Sequence, residues 1–115
     1  MSLDPNAIRR RAAYKRLMES ILNALPMCAD PFGWHGKNPR PASQVHHIRG
    51  MQMHPELAMV RGNLAPLCYT CHKQIERSPD TRRVFEACIR LANAYNQPEI
   101  ASEYMRQWQE YQNAS

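Results

Sequence analysis

A mostly helical α+β fold is predicted for this 115-residue chain. Three features of the sequence predict it. Apolar residues recur at helical spacing near the N-terminus and again over the last third. Between them lies a proline-rich stretch with no helical period. Inside that stretch, residues 43–48 and 63–67 have the length and composition of short strands. The size fits one domain spanning 1–115, with the chemically unusual residues gathered at about 27–77.

Residues 6–25 form the first expected helix. Ala13, Tyr14, Leu17, Met18, Ile21 and Leu25 share one face, while Arg9, Arg11, Lys15 and Arg16 fall outside it. Arg10 lands near the apolar side, which predicts fraying of the first turn. Pro26 closes the helix, because its ring and missing N–H end the ladder. After a loop with Gly33 and Gly36, the 43–48 run reads as a strand. A further loop passes through His54-Pro55 to Gly62. Residues 63–67 then form a second strand or turn, in which Pro66 limits pairing. A short helix follows over 68–77, stopped by Ser78-Pro79. Asp80 or Thr81 caps the next helix. Its apolar face carries Val84, Cys88, Leu91 and Tyr95, with Phe85, Ile89 and Ala92 beside them. Pro98 suits the first turn of a last helix, whose apolar side holds Ile100, Ala101, Tyr104, Met105, Trp108 and Tyr111.

Apolar residues make up 43% of the chain, enough for a packed core. No apolar run approaches the roughly 20 residues of a membrane-spanning helix. The N-terminal arginines are not followed by the apolar stretch of a secretory signal, and the opening Met1-Ser2-Leu3 reads in part as a cloning remnant. A net charge of +5 suits a polyanionic partner, nucleic acid first. Of the four cysteines, Cys68 and Cys71 form a tight pair beside histidines. Without a signal sequence, that pattern favours metal binding in a reducing cytoplasm over disulfides.

The spacing Cys68-Tyr69-Thr70-Cys71 lets two thiolates reach one Zn²⁺. A structural zinc needs two further ligands. Cys28 is one candidate and His35 the best remaining one, with Asp30 or a water as substitutes for His35. Cys88 sits on an apolar helix face and reads as core. Three of the five histidines, His46, His47 and His72, flank the cysteine cluster. A His-His pair on a strand facing a histidine on a helix can hold one divalent cation and leave one imidazole as a base. Adjacent strand residues point to opposite faces. The strand must therefore end or distort for His46 and His47 to serve one site. His54 and Glu56 read as loop residues.

Val45-His46-His47-Ile48, then Gly62-Asn63-Leu64-Ala65-Pro66-Leu67-Cys68, then Cys71-His72-Lys73 closely resemble the HNH endonucleases that carry a zinc ribbon. Those proteins combine a Cys-x-x-Cys pair, a (D/H)-H-(I/V) strand and an Asn-Leu-x-x-Leu-Cys-x-x-Cys-His stretch. The resemblance covers 27–75, with Pro41-Ala42 similar to the family's lead-in to its strand. It departs at the first zinc pair, where His35-Gly36 stands in place of a Cys-Gly. The resemblance implies a ββα-metal core with a zinc ribbon, flanked here by one N-terminal and two C-terminal helices.

It also implies roles. His46 and His72 would ligate a catalytic Mg²⁺ or Mn²⁺, with Ni²⁺ or Co²⁺ as further options. His47 would be the general base, and Asn63 would bond across the loop to fix the strand that carries it. Cys28, His35, Cys68 and Cys71 would hold structural Zn²⁺. Phosphodiester hydrolysis in DNA would follow, nicking first if the chain is a monomer or weak dimer. Arg49, Arg61, Lys73 and Arg77 lie near the motif and would contact DNA, with Arg9, Arg11, Lys15 and Arg16 farther out. No base-specific code is visible, so low sequence specificity is expected. Two competing expectations remain. One is a non-catalytic zinc-ribbon module that binds nucleic acid. The other is an interaction protein using Tyr104, Trp108 and Tyr111 as a partner surface.

Overall fold

The computed structural model describes residues 4–114; Met1-Ser2-Leu3, with the cloning-remnant reading attached to it, lies outside them. Among the described residues, five α-helices surround one two-stranded antiparallel sheet. The strands are β1 (Gln44–His47) and β2 (Leu64–Leu67). In their register, His46 faces Ala65 and His47 faces Leu64. Pro66 sits opposite Val45 and turns its carbonyl to accept from the Ala29 amide at 2.9 Å. A proline is tolerated there because each strand of a two-stranded sheet is an edge. This is an α+β fold whose small sheet is flanked by helices and by a Cys/His cluster, as an HNH core with a zinc ribbon requires.

The expected single helix over 6–25 is two helices, α1 (Pro5–Arg10) and α2 (Ala12–Ala24). Between them Arg11 is extended, at φ −69° and ψ 138°. Helix α2 spans two clusters, while α1 serves one of them. Ile8 of α1 joins Met51, Ala58 and Tyr14 in a small satellite cluster. Leu25, at the end of α2, belongs to the main core. The break at Arg11 lets Ile8 reach the satellite cluster from a helix of different direction.

Helix α3 (Tyr69–Arg77) begins directly after β2, with Cys68 as its N-cap residue. Helix α4 (Thr81–Ala94) is capped by the Asp80 side chain, which accepts from the Arg83 amide. Its inner face buries Val84, Phe85, Ala87, Cys88 and Ala92, while Tyr95 at the C-cap is exposed, not on the buried face. Helix α5 (Pro98–Ala114) buries Ile100, Ala101 and Tyr104. Met105, expected on that face, is 47% exposed. Helices α4 and α5 pack on each other, and α5 also lies against a 3₁₀ turn at Arg61–Asn63. The Tyr104 hydroxyl donates to the Leu64 carbonyl at 2.6 Å, which ties α5 to the strand opposite His47. Gly62 makes the approach possible, since a Cβ there would lie 2.7 Å from the Glu103 carbonyl carbon. No helix among the described residues is long and apolar enough to cross a membrane.

Candidate active site and metal centre

The Cys/His cluster sits where the loop after α2 meets the start of α3. Cys28, His35, Cys68 and Cys71 each offer one ligand atom, and all four atoms lie within 4.8 Å of one another. His35 Nε2 is 3.5 Å from both Cys68 Sγ and Cys71 Sγ. A tetrahedral zinc with Zn–S of about 2.3 Å and Zn–N of about 2.0 Å puts such atoms roughly 3.6 Å apart. The donor set therefore fits a tetrahedral cation. Asp30, the alternative fourth ligand, instead shapes the loop. At φ 53° it adopts a left-handed turn, and its carboxylate accepts from the Trp34 and His35 amides. The Asp30 amide donates to Cys28 Sγ at 3.3 Å. Burial, and then the neighbouring Cys28, push the Cys71 thiol well above its ordinary range. Thiols crowded this way cannot all ionise unless a cation offsets their charge. Cys88, by contrast, is fully buried between α4 and the core, as a small apolar residue would be.

Cys71 is followed at once by His72, so the cluster that anchors α3 also sets the second group of histidines. The His46 and His72 rings meet edge to face with centroids 5.2 Å apart. Two imidazoles on one cation have centroids roughly 4.6–5.3 Å apart, given metal–nitrogen bonds of about 2.1 Å. That spacing fits a shared cation as well. His72 Nδ1 is hydrogen-bonded to Gln44 Oε1, while its Nε2 faces Glu76 Oε1 at 3.5 Å. Burial, and after it the neighbouring His72 and His47, depress the His46 pKa to about 4. His46 is thus a neutral imidazole with a free lone pair at neutral pH.

His47 ends β1, and the chain bends at Ile48. That ending allows His46 and His47 to line one cleft of about 400 Å³ together with His72, Glu76, Tyr14 and Arg9. His47 Nε2 lies 3.1 Å from the Ala58 carbonyl. A carbonyl only accepts, so Nε2 carries the proton and Nδ1 keeps its lone pair. Tyr14 stacks parallel on the ring, with centroids 6.1 Å apart. Burial depresses the His47 pKa; the Ala58 carbonyl opposes this and the Arg9 charge adds to it.

Asn63 is completely buried. Its Oδ1 accepts from the Arg49 amide at 2.9 Å, and its Nδ2 donates to the Arg49 carbonyl at 3.1 Å and to the Leu57 carbonyl at 3.4 Å. Asn63 therefore clamps the backbone just past His47 to the loop that presents the Ala58 carbonyl. Arg49 lies over the Tyr111 ring at 5.5 Å and 3.4 Å from His54 Nε2. Lys73 and Arg77 are exposed on α3. Arg61, also expected near DNA, is held by α5. Its guanidinium makes a two-pronged pair with Glu103 at 2.5 and 2.9 Å, joining the 3₁₀ turn to α5. Sequence reasoning missed Gln44 and Glu76, whose only signal was position two residues before His46 and one helical turn after His72. It also placed Arg9 away from the site, because the break at Arg11 that turns α1 over the cleft is not visible as a pattern.

A two-stranded hairpin followed by a helix, with histidines on strand and helix and a Cys₃His cluster at the joint, defines the class of ββα-metal, zinc-ribbon proteins. Residues 26–78 match the family described as HNH endonuclease, so that segment of the chain is similar to HNH endonucleases. None of the curated proteins or solved structures compared with the chain matches it.

Proposed function

We propose that this protein is a metal-dependent endonuclease that hydrolyses phosphodiester bonds in DNA. The observation that carries the reading is the His47 imidazole. Its Nε2–H is committed to the Ala58 carbonyl, and its ring lines one cleft with His46 and His72. A proton acceptor beside a cation-binding pair is what attack of water on a phosphodiester needs. His47 Nδ1 takes the proton of the attacking water, and Asn63 holds the backbone that aims the ring. His46 and His72 would hold Mg²⁺ or Mn²⁺, which stabilises the charge growing on the phosphate and the leaving oxygen. Cys28, His35, Cys68 and Cys71 hold Zn²⁺ as a structural staple. Arg9 at the cleft, with Arg49, Lys73 and Arg77 near it, meets the phosphate backbone. Contacts confined to the phosphate backbone carry no sequence information, which fits low sequence specificity. One site cuts one strand, so a monomer nicks duplex DNA. The chain works as one domain, and its unpaired cysteines suit a cytoplasmic setting.

The test is supercoiled plasmid incubated with zinc-loaded protein and Mn²⁺, Mg²⁺ or a chelator, with His47→Ala alongside. Open-circle product that needs metal and is lost in the variant supports the reading. Equal product from His47→Ala rejects that base assignment. DNA binding without cutting under any metal would instead make the chain a non-catalytic zinc-ribbon module.

A further inference from the structure

The contact between His72 and Glu76 has a chemical peculiarity. The Gln44 amide oxygen faces His72 Nδ1. An oxygen there only accepts, so Nδ1 carries the proton and Nε2 is left with its lone pair. That lone pair faces a Glu76 carboxylate oxygen at 3.5 Å. Two acceptors turned toward each other repel unless a positive centre stands between them. The other Glu76 oxygen is held from outside by Lys73 Nζ at 3.6 Å, which leaves Oε1 turned inward. Glu76 lines the same cleft as His46 and His72. Its side chain is 50% exposed, so a cation there would keep open water positions.

We propose that Glu76 is a third protein ligand of the catalytic cation, and that Gln44 positions His72 for it. The assignment rests on the reading of His46 and His72 as ligands of that cation. It has a chemical consequence. Two imidazoles alone favour the later transition metals, whereas a carboxylate oxygen suits Mn²⁺ and Mg²⁺. The donor set His46, His72 and Glu76 therefore shifts the site toward harder cations. Gln44 plays the part that outer partners of metal-bound histidines commonly play, fixing which nitrogen is presented.

Titration calorimetry of Mn²⁺ into zinc-loaded wild type and Glu76→Gln tests this, with zinc content and far-UV dichroism as controls for folding. Glu76 is a helix-surface residue, so the variant keeps the fold. The expected result is an affinity lower by about tenfold or more, with Ni²⁺ affected less than Mn²⁺. An Mn²⁺ affinity within twofold of wild type would make Glu76 an ordinary helix-surface partner of His72 and overturn the assignment. So would wild-type protein that takes up no Mn²⁺. Protein that binds Mn²⁺ through Glu76 but never nicks plasmid would sink the nuclease reading and leave the ligand standing. Nicking with unchanged Glu76→Gln affinity would do the reverse.

Discussion

Individual side chains at the site are held mostly by backbone groups, which makes their substitution informative. Asn63 satisfies an amide and two carbonyls while fully buried. Asn63→Ala strands those groups, and each buried unpaired group costs about 1–3 kcal/mol. The expected outcome is a lower urea midpoint together with slower nicking, read by equilibrium denaturation and the plasmid assay. His47 leads to a pH prediction. As the proposed base, His47 would act only when neutral, so the rate would fall as pH drops through its pKa. Burial, and beyond it Arg9, depress that pKa below its ordinary 6.5. The acid limb of single-turnover nicking should therefore lie below 6.5 in the wild type. In Arg9→Gln it should move upward, because the positive charge that disfavoured protonation is gone. A limb that stays in place in that variant would detach Arg9 from His47.

Among the secondary-structure elements, α5 has the least expected role. It lies outside the matched segment, yet it braces the strand opposite His47 through Tyr104 and the turn before that strand through Glu103 and Arg61. Gly62 is where the backbones come closest. Gly62→Ala puts a methyl group into backbone rather than into a flexible side chain, so α5 must move. Overpacking of this kind costs about 1–3 kcal/mol, and the melting temperature of the variant should fall while its zinc content is unchanged. A Gly62→Ala protein as stable as wild type would show that α5 shifts freely. The break between α1 and α2 is the other element-level feature. It lets six residues fold over the cleft and bring Arg9 to it.

For the whole chain, the Cys₃His cluster is the joint between the 28–35 loop, β2 and α3. It carries Cys71 and, one residue on, His72. Without the proposed cation, its crowded buried thiols would have to protonate. Metal binding free energy in such sites is folding free energy. A strong chelator, or Cys71→Ser, should therefore lower the melting temperature sharply. It should also abolish nicking that added Mn²⁺ does not restore. Nicking by zinc-free protein at the wild-type rate would separate the two metal sites.

Much of this was legible in the linear chain because it is local. Cys68-x-x-Cys71-His72 fixes its geometry within one helical turn, and His46-His47 with Asn63 reads as a motif. The α4 cap at Asp80 and the start of α5 at Pro98 follow from chemistry within a few residues. Helical period named the buried faces, yet it overran at Ala13, Tyr95 and Met105, which are exposed. The identity of the fourth cluster ligand was open until folding brought His35, and not Asp30, to the two sulfurs. The bend at Arg11, the commitment of Arg61 to Glu103, and the meeting of Gln44, His72 and Glu76 join residues through three-dimensional packing. Hydrophobic spacing records which face is buried, but not against what. Local stereochemistry therefore wrote the motif, and long-range packing chose the partners of each polar group within it.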